Sequence, residues 1–436
     1  MIESATTHAF GRLLLTALGP IIMTELQGFL LLCVHISMEM APCAILYRDV
    51  ATFSRIIVLG RIPEASLQTS MSGWTALGGQ VRNPHMLDRN PCGSSSGSGA
   101  GAASSMAAGA VGTETNGSVI CPSNANGVVG FKPTVGLVSQ QYIVPISSTQ
   151  DTAGPMTKSV MGAAMMMNAM ATGSAKMDYV AALDEDILRG KRVGVLRYST
   201  GSNKDINAKF EESLNVLKEA GAVLVEITEN PIQLSEFGQY SLDVLLYEFK
   251  ATLNEYLAAT PDTVKTRSLA EVMAFNLENA DIELALFDQS IFDAAEITSN
   301  LDDPRYIVAH DAVLKATREE GIDKLLAEHN VDVLVAPSGP TVSRVDPING
   351  DVWPPFPGSG SLAAIAGYPH ITVPMGTIHS LSVGFSFMGA KDDDAKVLSY
   401  GYAFEQLTNK RAEPQYLTNA EDLPYIAAAM RGQKRY

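Results

Sequence analysis

Residues 92–110 read CGSSSGSGAGAASSMAAGA, a stretch with almost no side-chain volume. Taken alone it fits a flexible linker. It runs directly into VGTETNGSVICPSNANGVVGFKPT, which is apolar and has the texture of folded protein. A Gly/Ser loop leading into an Ala-rich helix suits the whole segment better than a linker does.

The rest of the chain can enclose such a loop. It has 436 residues, 46% of them hydrophobic and 18% charged, which excludes a disordered polymer. The length allows several domains or one large α/β domain. Net charge is −16, without the concentrated basic face that nucleic acid requires, so no nucleic acid is expected as a direct partner. Cys33, Cys43, Cys92 and Cys121 form no CxxC and have no zinc-spaced histidine. Reduced thiols in a cytoplasmic protein and no structural metal are the expectation.

Residues 13–36 are apolar and follow Arg12, but Pro20, Glu25 and Gln27 interrupt them. A buried segment is expected there, not a signal or a membrane anchor. Residues 157–171 have helical spacing, with methionines as core filler. Arg192–Arg197, Asp205–Ala220 and Val223–Ile227 read as strand, helix and strand, a β-α-β unit implying parallel pairing. Helical periodicity covers 240–258, 268–279 and 305–328; strands are expected at 331–335, 371–373 and 383–387, and a closing helix at 393–410. The alternation predicts an α/β fold with a mixed sheet.

Three motif readings compete for the Gly/Ser tract. Gly93-Ser-Ser-Ser-Gly97 fits the G-x-S-x-G elbow of α/β-hydrolases, with His310, His329, His370 or His379 downstream. Gly97, Gly99 and Ala102 fit a dinucleotide loop. Both motifs need a preceding strand, and DRNPC is a poor one.

The third reading covers far more sequence. GWTALGGQVRNP, NPCGSSSGSGAGAASSMAAGA and GTETNGSVICPSNANGVVGFKPTVGLVS resemble the amidase signature family of carbon–nitrogen hydrolases. The resemblance continues in order through GPMTKSV, LRGKRVGVLR, VDVLVAPSGP, AIAGYPHITVPMG and AFEQLTNKR, over about residues 73–412. It implies an α/β/α sandwich around a central mixed sheet, acting on a small-molecule amide with no metal or organic cofactor. Residues 1–72 then form a divergent N-terminal segment, 73–416 the amidase-like domain with a helical pocket region at 235–330, and 417–436 a C-terminal tail.

The family's triad is Ser–cis-Ser–Lys. The resemblance places the nucleophile on Ser118 and the bridging serine on Ser94, after Gly93. Backbone N–H groups of Thr115, Asn116, Gly117 and Ser118 would form the oxyanion hole, with Ser95 and Thr113 in support. An amide carbonyl is a poor electrophile, so such donors and a relaying hydroxyl are what its hydrolysis needs.

The lysine is not recognisable. The family carries it some tens of residues before the Gly/Ser tract, yet residues 1–131 hold six Arg, seven acids and no Lys. Chance alone would leave that stretch empty in about one chain in two hundred. Lys132 falls on a different, structural-looking position, and Gly60–Pro63 only faintly echoes the expected strand. Arg48, Arg55 and Arg61 stay protonated, and nothing places His8 or His35 nearby. Three function classes follow. One is an amidase acting through an acyl-serine. Another is an amidase-like pseudoenzyme, or the product of a disrupted reading frame. The third resembles the amidase-like component of the amidotransferase that works on misacylated tRNA.

Overall fold

The computed structural model describes residues 72–76 and 78–431. Cys33, Cys43, the apolar run at 13–36 and the Gly60–Pro63 echo lie outside them. A two-stranded ribbon, β1 (Trp74–Thr75) and β2 (Gly79–Gln80), precedes the main body. The other strands are β3 (Gly109–Glu114), β4 (Val129–Lys132), β5 (Thr152–Thr157), β6 (Arg192–Leu196), β7 (Val223–Ile227), β8 (Val333–Pro337), β9 (His370–Ile378) and β10 (Leu381–Met388). The helices are α1 (Ser96–Ala103), α2 (Ile120–Asn126), α3 (Val160–Met170), α4 (Lys204–Glu219), α5 (Phe237–Ala258), α6 (Leu269–Glu278), α7 (Ala280–Glu283), α8 (Ser290–Glu296), α9 (Pro304–Thr317), α10 (Asp323–Glu328), α11 (Gly360–Ala366), α12 (Asp394–Thr408) and α13 (Pro424–Arg431).

Strands β3 to β10 form one sheet in the order β3-β5-β4-β9-β10-β8-β6-β7. Pairing is antiparallel from β3 across to β8 and parallel at β8-β6-β7. The predicted β-α-β unit is therefore present as β6-α4-β7. Successive side chains of a strand point to opposite faces. Val333 and Val335 enter a cluster with Phe210 and Leu214 of α4, Met167 of α3 and Phe404 of α12. Leu334 and Ala336 enter another with Leu362 and Ala366 of α11 and Leu325 of α10. Both faces being covered, these strands read as unbroken apolar runs. The result is the α/β/α sandwich with a central mixed sheet.

The expected helix at 305–328 is not continuous: α9 ends at Thr317, and a π-turn over Arg318–Ile322 leads into α10. Gly321 leaves helical geometry there, and a Cβ on it would come within 2.8 Å of the Ala316 carbonyl. The methionines of α3 are core filler only in part: Met167 is buried, whereas Met165 is exposed. Helices α5, α6 and α8 have their own core around Phe249, Leu253, Val272 and Phe292. Among the described residues no helix is long and apolar enough to cross a membrane.

Candidate active site

The Gly/Ser tract is small because it is crowded. Helix α1 lies on α2, and a Cβ at Gly99 would sit 2.9 Å from Asn126 Nδ2 and 3.0 Å from the Pro122 carbonyl oxygen. Its hydroxyls bind backbone: Ser98 Oγ donates to Val111 O at 2.8 Å and Ser96 Oγ to Cys92 O at 2.5 Å. The turn before α1 carries Ser94, and the Gly93–Ser94 peptide bond is cis. Among the described residues no strand leads directly into this turn, which removes the context that both the hydrolase elbow and the dinucleotide loop need. Of the histidines offered to the elbow, His310 packs against Tyr306, His329 caps the end of α10, His379 meets the Tyr425 hydroxyl, and His370 lies in β9 bound to Ser386.

Strand β3 runs out at Glu114 into the turn that carries Thr115–Ser118, and α2 begins at Ile120. Gly117 has φ of +92°, a left-handed conformation that favours glycine. Nothing lies within 4 Å of where its Cβ would be, so backbone conformation and not space selects the glycine. Glu114 folds back over the turn and accepts from the N–H groups of Val119 (2.8 Å) and Ile120 (3.0 Å), which no earlier turn of α2 can satisfy.

The two serine-bearing turns are tied together. Ser95 N–H donates to the Ser118 carbonyl at 3.3 Å. Ser95 Oγ accepts from Thr113 N at 3.0 Å and donates to Thr113 O at 3.1 Å. Cys92 and Cys121 form a disulfide with Cα atoms 5.8 Å apart, which overturns the expectation of reduced thiols for this pair. Their spacing of 29 residues hid the pairing, because folding alone brings the turn before α1 to the start of α2. Ser94, Ser95, Thr113, Thr115, Asn116, Gly117 and Ser118 thus share one corner of the sheet, with Ser118 buried and Ser94, Asn116 and Gly117 partly buried.

Buried charge surrounds this corner. Lys132 is fully enclosed and donates to Pro133 O at 3.0 Å. Burial lowers its ammonium to about 8, while Glu114 and Asp394 act in the opposite sense. His370 lies directly across from Lys132 in the β4–β9 register, and burial together with that lysine pushes it down to about 3. Asp151 accepts from Thr115 Oγ1 at 2.6 Å, from Ile146 N at 2.7 Å and from Ser147 N at 2.9 Å. Burial raises its carboxyl to about 6, its hydrogen bonds opposing. Glu114 and Asp151 were not foreseen; Glu114 stands in a motif whose backbone drew the attention. Among the described residues no group of three His, Cys, Asp or Glu side chains could hold a metal ion.

Comparison with known proteins agrees with this architecture. The Amidase family model matches residues 56–398, reaching back ahead of Gly73, where the motif resemblance begins. Curated amidase-family proteins of Arthroderma benhamiae and Arabidopsis thaliana are 32% and 33% identical, over 78% and 79% of this chain. The chain spans only 60% and 65% of their respective lengths. The crystal structure of native peptide amidase from Stenotrophomonas maltophilia is 42% identical, with a TM-score of 0.74 over 81% of this chain and 73% of that one. A sheet of this order, the two tied serine turns and a family match over most of the sequence lead to one conclusion: this chain belongs to the amidase signature family.

Proposed function

We propose that this chain hydrolyses a carboxamide C–N bond through an acyl-serine at Ser118. The observation that carries the reading is the tie between the Ser94 and Ser118 turns, through Ser95 N–H to Ser118 O and through Ser95 Oγ to Thr113. Ser118 Oγ adds to the carbonyl carbon, and the oxyanion is held by the N–H groups of Thr115, Asn116, Gly117 and Ser118. Ser94 Oγ takes the proton that Ser118 gives up on attack and passes its own to the departing nitrogen, since a hydroxyl both donates and accepts. Ammonia or an amine leaves, and water then releases the acid from Ser118. Similarity to the peptide amidase makes peptide amides the first substrates to try.

Residues 1–131 contain no lysine, so the base that the family resemblance assigns to a lysine does not come from the expected stretch. Turnover about 10⁴–10⁶-fold below that of a complete triad follows. The same absence favours a second reading, in which amides bind without turnover. Ammonia release from a panel of peptide amides, beside Ser118→Ala and Ser94→Ala, separates the two. Slow release that both substitutions abolish supports the hydrolase. Calorimetric binding with no Ser118-dependent release supports the second reading.

A further inference from the structure

A chain of buried polar groups leaves the Thr115 turn and ends in the helical layer. Thr115 Oγ1 donates to Asp151 Oδ1 at 2.6 Å. Asp151 Oδ2 accepts from the backbone of Ile146 and Ser147. Ser147 Oγ donates to Glu248 Oε2, on α5. Glu248 Oε1 accepts from Tyr306 OH at 2.7 Å, on α9, and Thr149 adds its N–H and hydroxyl to the same carboxylate. Thr115, Ser147, Glu248 and Tyr306 are all buried. Two carboxylates placed so close together in the interior are costly unless their acceptor sites are filled. Here seven donors fill them, and those donors come from three separate parts of the chain: Thr115, residues 146–149 and Tyr306.

We infer that Asp151 and Glu248 are positioning residues for the oxyanion loop, holding Thr115 in place and linking its geometry to helices α5 and α9. The inference rests on the proposed role of the Thr115–Ser118 turn. Thr115 is the point where the link meets that turn: its hydroxyl is committed to Asp151, so its backbone N–H is presented in one orientation. Helices α5 and α9 pack on each other through Val244, Tyr247, Tyr306 and Val313. A shift of either helix moves Glu248 or Tyr306 and is passed to Thr115 through hydrogen bonds, whose strength falls steeply with angle and distance. Change in the helical layer thus alters kcat through the Thr115 turn.

The test is a double-mutant cycle on the full chain with Thr115→Val and Tyr306→Phe, each removing one hydroxyl from an end of the link. Kinetics on a peptide amide and hydrogen exchange of the segment 113–120 are both read. Each single substitution is expected to lower kcat about fivefold with KM nearly unchanged, as for one lost hydrogen bond. The double variant is expected to fall no further than either single one. Exchange across 113–120 rises in Tyr306→Phe, and in Glu248→Gln where that variant folds. Leu217→Ala, which loosens α4 in the separate core with Phe210 and Val335 and touches neither the link nor α5 and α9, leaves this exchange unchanged. Effects that multiply in the double variant, or unaltered exchange in a folded Tyr306→Phe protein, overturn the inference. A wild-type chain without Ser118-dependent turnover defeats the proposed hydrolysis, while exchange still decides the coupling.

Discussion

Glu114 illustrates how a single buried carboxylate can organise a turn. Its Oε2 takes the N–H groups of the two residues that follow Ser118, and the buried Lys132 ammonium is its neighbour in charge. Glu114→Ala strands two buried donors and removes a carboxylate that favours the Lys132 ammonium, so a loss of about 3–5 kcal/mol in unfolding free energy is expected. Glu114→Gln keeps an acceptor oxygen and should lose less. Urea midpoints read both, and a Glu114→Ala midpoint equal to wild type would contradict the role. The serines of this corner were legible because Gly-Ser-Ser-Ser and Asn-Gly-Ser are local signals. Asp151 and Glu248 were not legible, since their partners lie 36 and 101 residues away. No periodicity in the sequence encodes a contact of that kind.

At the scale of elements, the sequence was informative wherever one face of a helix or strand is apolar. Phe210, Leu214 and Leu217 line one side of α4, and that stripe predicts the β6-α4-β7 unit. Strands β9 and β10 were recognised only as short fragments. Their nine and eight residues form a hairpin whose register shifts at Val383/Gly384, which interrupts simple alternation. One contact between elements is sensitive to pH. Glu405 on α12 accepts from Val160 N–H at the start of α3, and burial raises its carboxyl to about 7. The folded state therefore holds this proton more tightly than the unfolded chain does. The stabilising contribution is complete below the ordinary glutamate range and is lost as pH rises through about 7. Asp151, raised to about 6, acts in the same direction. His370, held neutral by burial, acts in the opposite direction, so the expectation is a difference: between about pH 5 and about pH 7 the melting temperature of Glu405→Gln falls less, or rises more, than that of the wild type. Equal slopes for the two proteins would show that Glu405 does not contribute.

The order of strands in the whole molecule could not be read from the sequence. Strand β4 pairs with β9, joining Gly130 to Thr372, and β5 inserts between β3 and β4. Such neighbours follow from how the layers close over the sheet, and many orders satisfy the same apolar pattern. The α/β class was legible because helix and strand patterns alternate; the topology came only with the fold. The disulfide belongs to this scale too. Cys92 and Cys121 close a ring that contains both Ser94 and Ser118, and the exposed stretch at Ser105–Met106 lies inside it. A ring of this length restricts the unfolded chain by about 3–4 kcal/mol, so a dithiol reductant should lower the melting temperature. The ring also changes what cleavage means. A protease that nicks the oxidised protein near Ser105 leaves two pieces carrying one serine each, still covalently joined. Electrophoresis without reductant should show one intact band, and the same sample with reductant should show two.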